Sequence, residues 1–158
     1  MPEQPAALIV TLQEPRMPFY QCVIPAGTVS DDVRAALAEA ITDVHATVTG
    51  APRQFVNVMF IESPPGTFYT AGKRHACAVI AGTIRAGRDR ETRARLLTGL
   101  SEAWTSITGV DARDVLLGLN EVDATSTMEA GLIMPAPGEE AAWFDRHRDT
   151  LGEILAPE

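Results

Sequence analysis

Two segments of this chain follow one layout without a gap: VTGAPRQFVNVMFIE at residues 48–62 and ITGVDARDVLLGLNE at residues 107–121. Gly50 stands twelve residues before Glu62, and Gly109 stands twelve before Glu121. Twenty residues ahead of each glycine sits a helix-capping residue, Ser30 and Asp89. Twelve residues ahead of each cap an apolar run begins, at Pro18 and at Cys77. Each half therefore reads strand, helix, strand, and a tandem repeat of this kind leaves few architectures open. Two strands joined through a long helix run parallel, with a right-handed crossover.

The periodicity predicts a first helix from about Ser30 to about Val48, with Val33, Leu37, Ile41, Val44 and Val48 on one stripe and Gly50 closing it. A second is predicted from about Asp89 to about Thr108, with Leu96, Leu97, Leu100, Trp104 and Ile107 inward and Gly109 closing it. The strands are FYQCVI, FVNVMFI, CAVIAGTI and VLLGLNE. The repeats span about residues 17–62 and 76–122 within a domain of residues 17–158, and residues 1–16 form an extension ahead of it. SPPGTFYTAGKR, residues 63–74, reads as a loop between the halves, and the tail PAPGEEAAWFDRHRDTLGEIL ends in a short helix carrying Trp143, Phe144 and Leu151. Two long helices suffice for one face of a four-stranded sheet. Yet FVNVMFI is almost continuously apolar, the pattern of a strand buried on both faces. The expectation is a two-layer α/β protomer, helices on one face, that buries its other face in an obligate oligomer.

A length of 158 residues suits one domain with a real core. The formal net charge of -8 argues against a nucleic-acid partner but leaves room for a small anion held by local arginines. The two cysteines, Cys22 and Cys77, offer neither a disulfide framework nor metal-ligand spacing, which points to a reducing, cytoplasmic setting. The apolar run AALIV near the start is too short to span a membrane and has no basic residues ahead of it.

The duplicated β-α-β unit, the proline opening the first strand, AEAITDVH on the first helix, IRAGR after the third strand and MEAGLIMPAPGEEAAWF near the end resemble the tautomerase superfamily. The group most similar in these motifs is the cis-3-chloroacrylic acid dehalogenase-like, or oxalocrotonate tautomerase, group. The resemblance runs from about residue 17 to about residue 148. It implies a homotrimer, no metal, no organic cofactor, and a catalytic proline that becomes the first residue once methionine is removed. On this chain that proline is Pro18. The resemblance also implies a helix histidine at His45, substrate-binding arginines at Arg85 and Arg88, and a water-positioning glutamate at Glu129. The tyrosine that assists this glutamate in the dehalogenases falls at Gly118, which has no hydroxyl.

Each residue also has a plain reading. As a free secondary amine Pro18 is a general base, because an α-amino group titrates near about 8 and burial beside cations lowers that value. Inside a chain the same nitrogen is a tertiary amide without useful basicity. His45 follows Val44 beyond the edge of the apolar stripe and reads as a boundary residue or a substrate ligand. Arg85 and Arg88 stand where a strand gives way to a helix. Cations oppose the macrodipole there, so either an anion binds or both are solvated. Glu129, between Met128 and Ala130, is a proton carrier or an ordinary loop carboxylate.

Two functions follow. The first is an isomerase, a cofactor-independent tautomerase moving a proton on a small unsaturated or 2-oxo carboxylate, with at most weak hydration or dehalogenation. It requires Pro18 to be the free amino terminus. The alternative is a catalytically silent protein of the same fold, in which MPEQPAALIVTLQEPR caps Pro18 and the oligomer binds or builds.

Overall fold

The computed structural model describes residues 18–136 and 138–154; the extension at residues 1–16 lies outside them. The first repeat runs β1 (Phe19–Pro25), α1 (Asp31–Thr49) and β2 (Asn57–Ser63), followed by a hairpin of β3 (Tyr69–Thr70) and β4 (Lys73–Arg74). The second runs β5 (Ala78–Arg85), α2 (Arg90–Thr108) and β6 (Val115–Val122), followed by a hairpin of β7 (Met128–Glu129) and β8 (Leu132–Ile133). The tail forms α3 (Glu140–Arg146) and α4 (Arg148–Ile154).

The helix ends are set by the residues that mark the repeat. Ser30 accepts from the Val33 N–H and Asp89 from the Thr92 N–H, which satisfies one orphan donor in each first turn. Gly50 and Gly109 close the helices at φ 77° and 72°, a left-handed conformation that costs glycine little. The paired glutamates hold the crossovers: Arg34 bridges to Glu62 at 2.8 Å, and Arg93 reaches Glu121 at 3.5 Å.

The sheet order is β2-β1-β5-β6. β1 is parallel to β2, β5 is parallel to β6, and the two halves meet antiparallel along β1 and β5. Tyr20, Cys22, Ile24, Ala78 and Ile80 face Leu37, Ile41, Leu100 and Trp104 of the two helices to form the main core. Alternation turns Phe19, Val23, Met59, Ile61, Val79 and Leu116 to the other face. No long helix among the described residues covers that side, and Met59, Ile61 and Leu116 are 39%, 41% and 57% exposed.

Four expectations change. Phe55 is not in a strand: Pro52 leads into a single tight turn, Arg53–Phe55, and the ring is buried with Ala124, Met134, Trp143 and Leu151 in a second core. Residues 63–74 are not all loop. Ala71 and Gly72 both take positive φ, as Ala130 and Gly131 do, and each pair makes the two-residue turn that suits a hairpin. The tail helix is broken at His147, whose N–H is shared between the carbonyls of Trp143 and Phe144. His45 is not at a boundary: the buried stripe of α1 is Leu37, Ile41, His45 and Thr49.

Candidate functional site

Pro18 lies immediately before β1, buried, and its carbonyl accepts from the Asn57 N–H at 3.1 Å. That bond seats it on the parallel neighbour, β2. Because Phe19 pairs with Thr83 in the antiparallel direction, the end of β5 runs beside Pro18 and brings Arg85 to the same end of the sheet. Gly87, at φ 104°, turns the chain after β5, and Arg88 then precedes the Asp89 cap of α2.

Tyr20, two residues beyond Pro18, points to the helices and shares a 2.8 Å hydrogen bond with His45 Nδ1. Both side chains are 0% exposed. Burial, with a smaller push from the Arg88 cation, lowers the His45 imidazole to about 3, so it is neutral at physiological pH. Burial raises the Tyr20 phenol beyond its ordinary range, only partly offset by Arg88, so the phenol keeps its proton. Gly82 makes room for this pair: a Cβ there would come within 2.6 Å of the Tyr20 ring. His45 Nε2 is buried and has no hydrogen-bond partner among the described residues.

Glu129 comes in on the second hairpin. Its Oε1 accepts from Asn57 Nδ2 at 3.0 Å, so one asparagine bridges Pro18, through its backbone, and Glu129, through its side chain. Arg85 is buried, 6% exposed, and donates from Nη2 to Glu140 Oε1 of α3 at 2.9 Å. It is therefore not a solvated surface arginine. Arg88 is half-buried and acts electrostatically on both Tyr20 and His45. The fold thus brings Pro18, His45, Arg85, Arg88 and Glu129 to one end of the sheet. Among the described residues, open concavities of about 360 Å³ between Pro64, Phe68, Arg74 and Cys77 and of about 840 Å³ along β8 and α3 are lined by other residues. Among the described residues no group of three or more His, Cys, Asp or Glu side chains is placed to hold a metal ion. No helix among them is long and apolar enough to cross a membrane.

Sequence reasoning missed Tyr20, Asn57 and Glu140. It also missed a signal. The two repeats align at an offset of 59 residues, since β1 begins at Phe19 and β5 at Ala78, and α1 at Asp31 and α2 at Arg90. At that offset Pro18 corresponds to Cys77, His45 to Trp104, Arg85 to Ala26, Arg88 to Val29 and Glu129 to Thr70. The folding requirements of the two halves are alike. Residues with chemistry present at one end and absent from its mate therefore mark that end as specialised.

The sequence family described as "Putative oxalocrotonate tautomerase enzyme" matches residues 17–148. The chain belongs to the tautomerase superfamily. Among solved structures, native Ps01740 is 40% identical with a TM-score of 0.68, over 70% of this chain and 99% of its own. N1, a member of the cis-3-chloroacrylic acid dehalogenase family, is 28% identical with a TM-score of 0.80, over 87% of this chain and 97% of its own. A fused 4-OT, solved as a symmetric trimer, is 25% identical with a TM-score of 0.69, over 78% of this chain and 98% of its own. Among curated proteins none is significantly similar. The duplicated β-α-β tautomerase fold, helices on one face, stands as the sequence predicts.

Proposed function

We propose that the protein is a tautomerase that needs no cofactor and transfers a proton between carbon and oxygen of a small unsaturated or 2-oxo carboxylate. The observation that carries this reading is the convergence of Pro18, Tyr20–His45, Arg85, Arg88 and Glu129 at one end of a duplicated sheet whose other end lacks them. Pro18, as a free secondary amine, takes the proton from the substrate's enol oxygen or carbon and returns it at the other position. Arg85 and Arg88 hold the carboxylate, since guanidinium groups match its geometry. When Tyr20 donates to Nδ1, neutral His45 keeps its proton on Nε2, where it polarises the substrate oxygen. Glu129, oriented by Asn57, carries or orients a proton on the opposite side.

The reading extends to a homotrimer of 17-to-158 domains. Met59, Ile61 and Leu116 on the sheet face without long helices support it, because exposed apolar surface of this kind is removed from water by association. Light scattering at micromolar concentration is expected to give the mass of three chains, and a stable, folded monomer contradicts the packing. The buried, unpaired thiols of Cys22 and Cys77 fit a reducing, cytoplasmic setting.

Gly118 lies on that same face and carries no side chain, so this position offers no hydroxyl to assist Glu129. Phenylenolpyruvate ketonisation and chloride release from 3-chloroacrylates are to be measured on one preparation. Ketonisation is expected, with chloride release weak beside it. Efficient dehalogenation without ketonisation would overturn the proposal.

A further inference from the structure

The repeat ends with the β7–β8 hairpin, and the tail that follows has no counterpart in the first half. Glu140, the first residue of α3, comes from this tail and takes the Arg85 guanidinium at 2.9 Å, with the two side chains only 7% and 14% exposed. Burial opposes the Glu140 charge, but backbone N–H groups and Arg85 outweigh it and hold the carboxyl below its ordinary range. Asp123 also feels the Arg85 cation. Glu129 adds a further carboxylate on the Asn57 side. Arg85 is thus set among acids supplied by the chain itself.

We infer that Glu140 is a specificity-determining residue, which neutralises and orients Arg85 so that the site accepts one carboxylate per ligand and disfavours dicarboxylates. The inference rests on the reading in which Arg85 and Arg88 receive the substrate carboxylate. A monocarboxylate shares the guanidinium pair while Arg85 keeps Glu140. A second carboxylate must either displace Glu140 from a largely buried pair or lie against Glu140 or Glu129. Both are unfavourable where water is scarce, because screening is weak and an unmatched buried charge is costly. Glu140 acts through Arg85 and needs no contact with the reacting atoms.

Crotonate and fumarate test this, since they share one carbon skeleton and differ by a methyl against a carboxylate. Calorimetric titration of the full chain is expected to show tighter binding of crotonate. Glu140→Gln is expected to raise fumarate affinity at least about tenfold, a loss of one charged contact in reverse, with crotonate changing less than about threefold. Glu139→Gln removes the same charge from the exposed neighbouring position and is expected to leave both affinities within about twofold. Equal shifts for both acids in Glu140→Gln, or the same shift in Glu139→Gln, overturn the inference. Should Glu140→Gln fail to fold by circular dichroism, wild type and Glu140→Asp decide. Both are expected to prefer crotonate, and a preference for fumarate in either overturns it. Failure of wild type to bind either acid contradicts the carboxylate site itself and the inference with it.

Discussion

A chain beginning at Met17 is expected to ketonise phenylenolpyruvate about 10²–10⁴-fold faster than the chain that retains residues 1–16, the range general-base catalysis typically contributes. Met17 is followed by proline, a small residue that permits methionine removal, so Pro18 emerges as a secondary amine without a dedicated protease. With residues 1–16 attached, the same nitrogen is an amide and can neither accept a proton nor attack a carbonyl. The gain is expected to vanish largely in Pro18→Ala, although a primary amine at that position retains part of it. The Asn57 N–H bond to the Pro18 carbonyl uses the backbone on the far side of the ring, so methionine removal leaves the seat of Pro18 on β2 unchanged. Rates by ultraviolet absorbance and masses by spectrometry on the same samples check the prediction.

Arg88→Ala and Arg85→Ala are each expected to weaken carboxylate binding at least about tenfold, but with different costs to the fold. A charged hydrogen bond contributes about 1.5–3 kcal/mol, which sets the loss of affinity for both. Arg85→Ala also takes from Glu140, whose side chain is 14% exposed, its cationic partner and leaves only backbone N–H groups to hold the charge, which costs stability as well. Arg88→Ala removes the smaller of the two influences that keep His45 neutral, while burial remains. Urea denaturation is therefore expected to show a large shift for Arg85→Ala and a small one for Arg88→Ala, with affinity lost in both. Unchanged affinity in both variants removes the arginines from the site.

The architecture was legible because it is written twice. Ser30 with Asp89, Gly50 with Gly109 and Glu62 with Glu121 each perform one local task, and local tasks leave local patterns. Where an element depended on distant partners, the sequence misled. Phe55 belongs to an apolar run, yet it packs under the tail with Trp143 and Leu151. His45 is polar and so falls outside any apolar stripe, yet Tyr20, 25 residues away, gives its ring a buried partner. Asn57 meets Glu129 across 72 residues, and Arg85 meets Glu140 across 55, separations at which no periodicity carries information. The positions of Pro18, Arg85, Arg88 and Glu129 were readable as motifs. Their grouping at one end of the sheet followed only from the antiparallel meeting of β1 with β5 and from the bond between Asn57 and Glu129.

The central claim is that Pro18 works as an amino-terminal amine. The intact mass and amino-terminal sequence of the protein purified from its own cells test it most directly, with phenylenolpyruvate turnover measured on the same material. The account predicts active protein whose first residue is Pro18. Protein that retains residues 1–16 and turns over phenylenolpyruvate as fast as the chain beginning at Pro18 would contradict it.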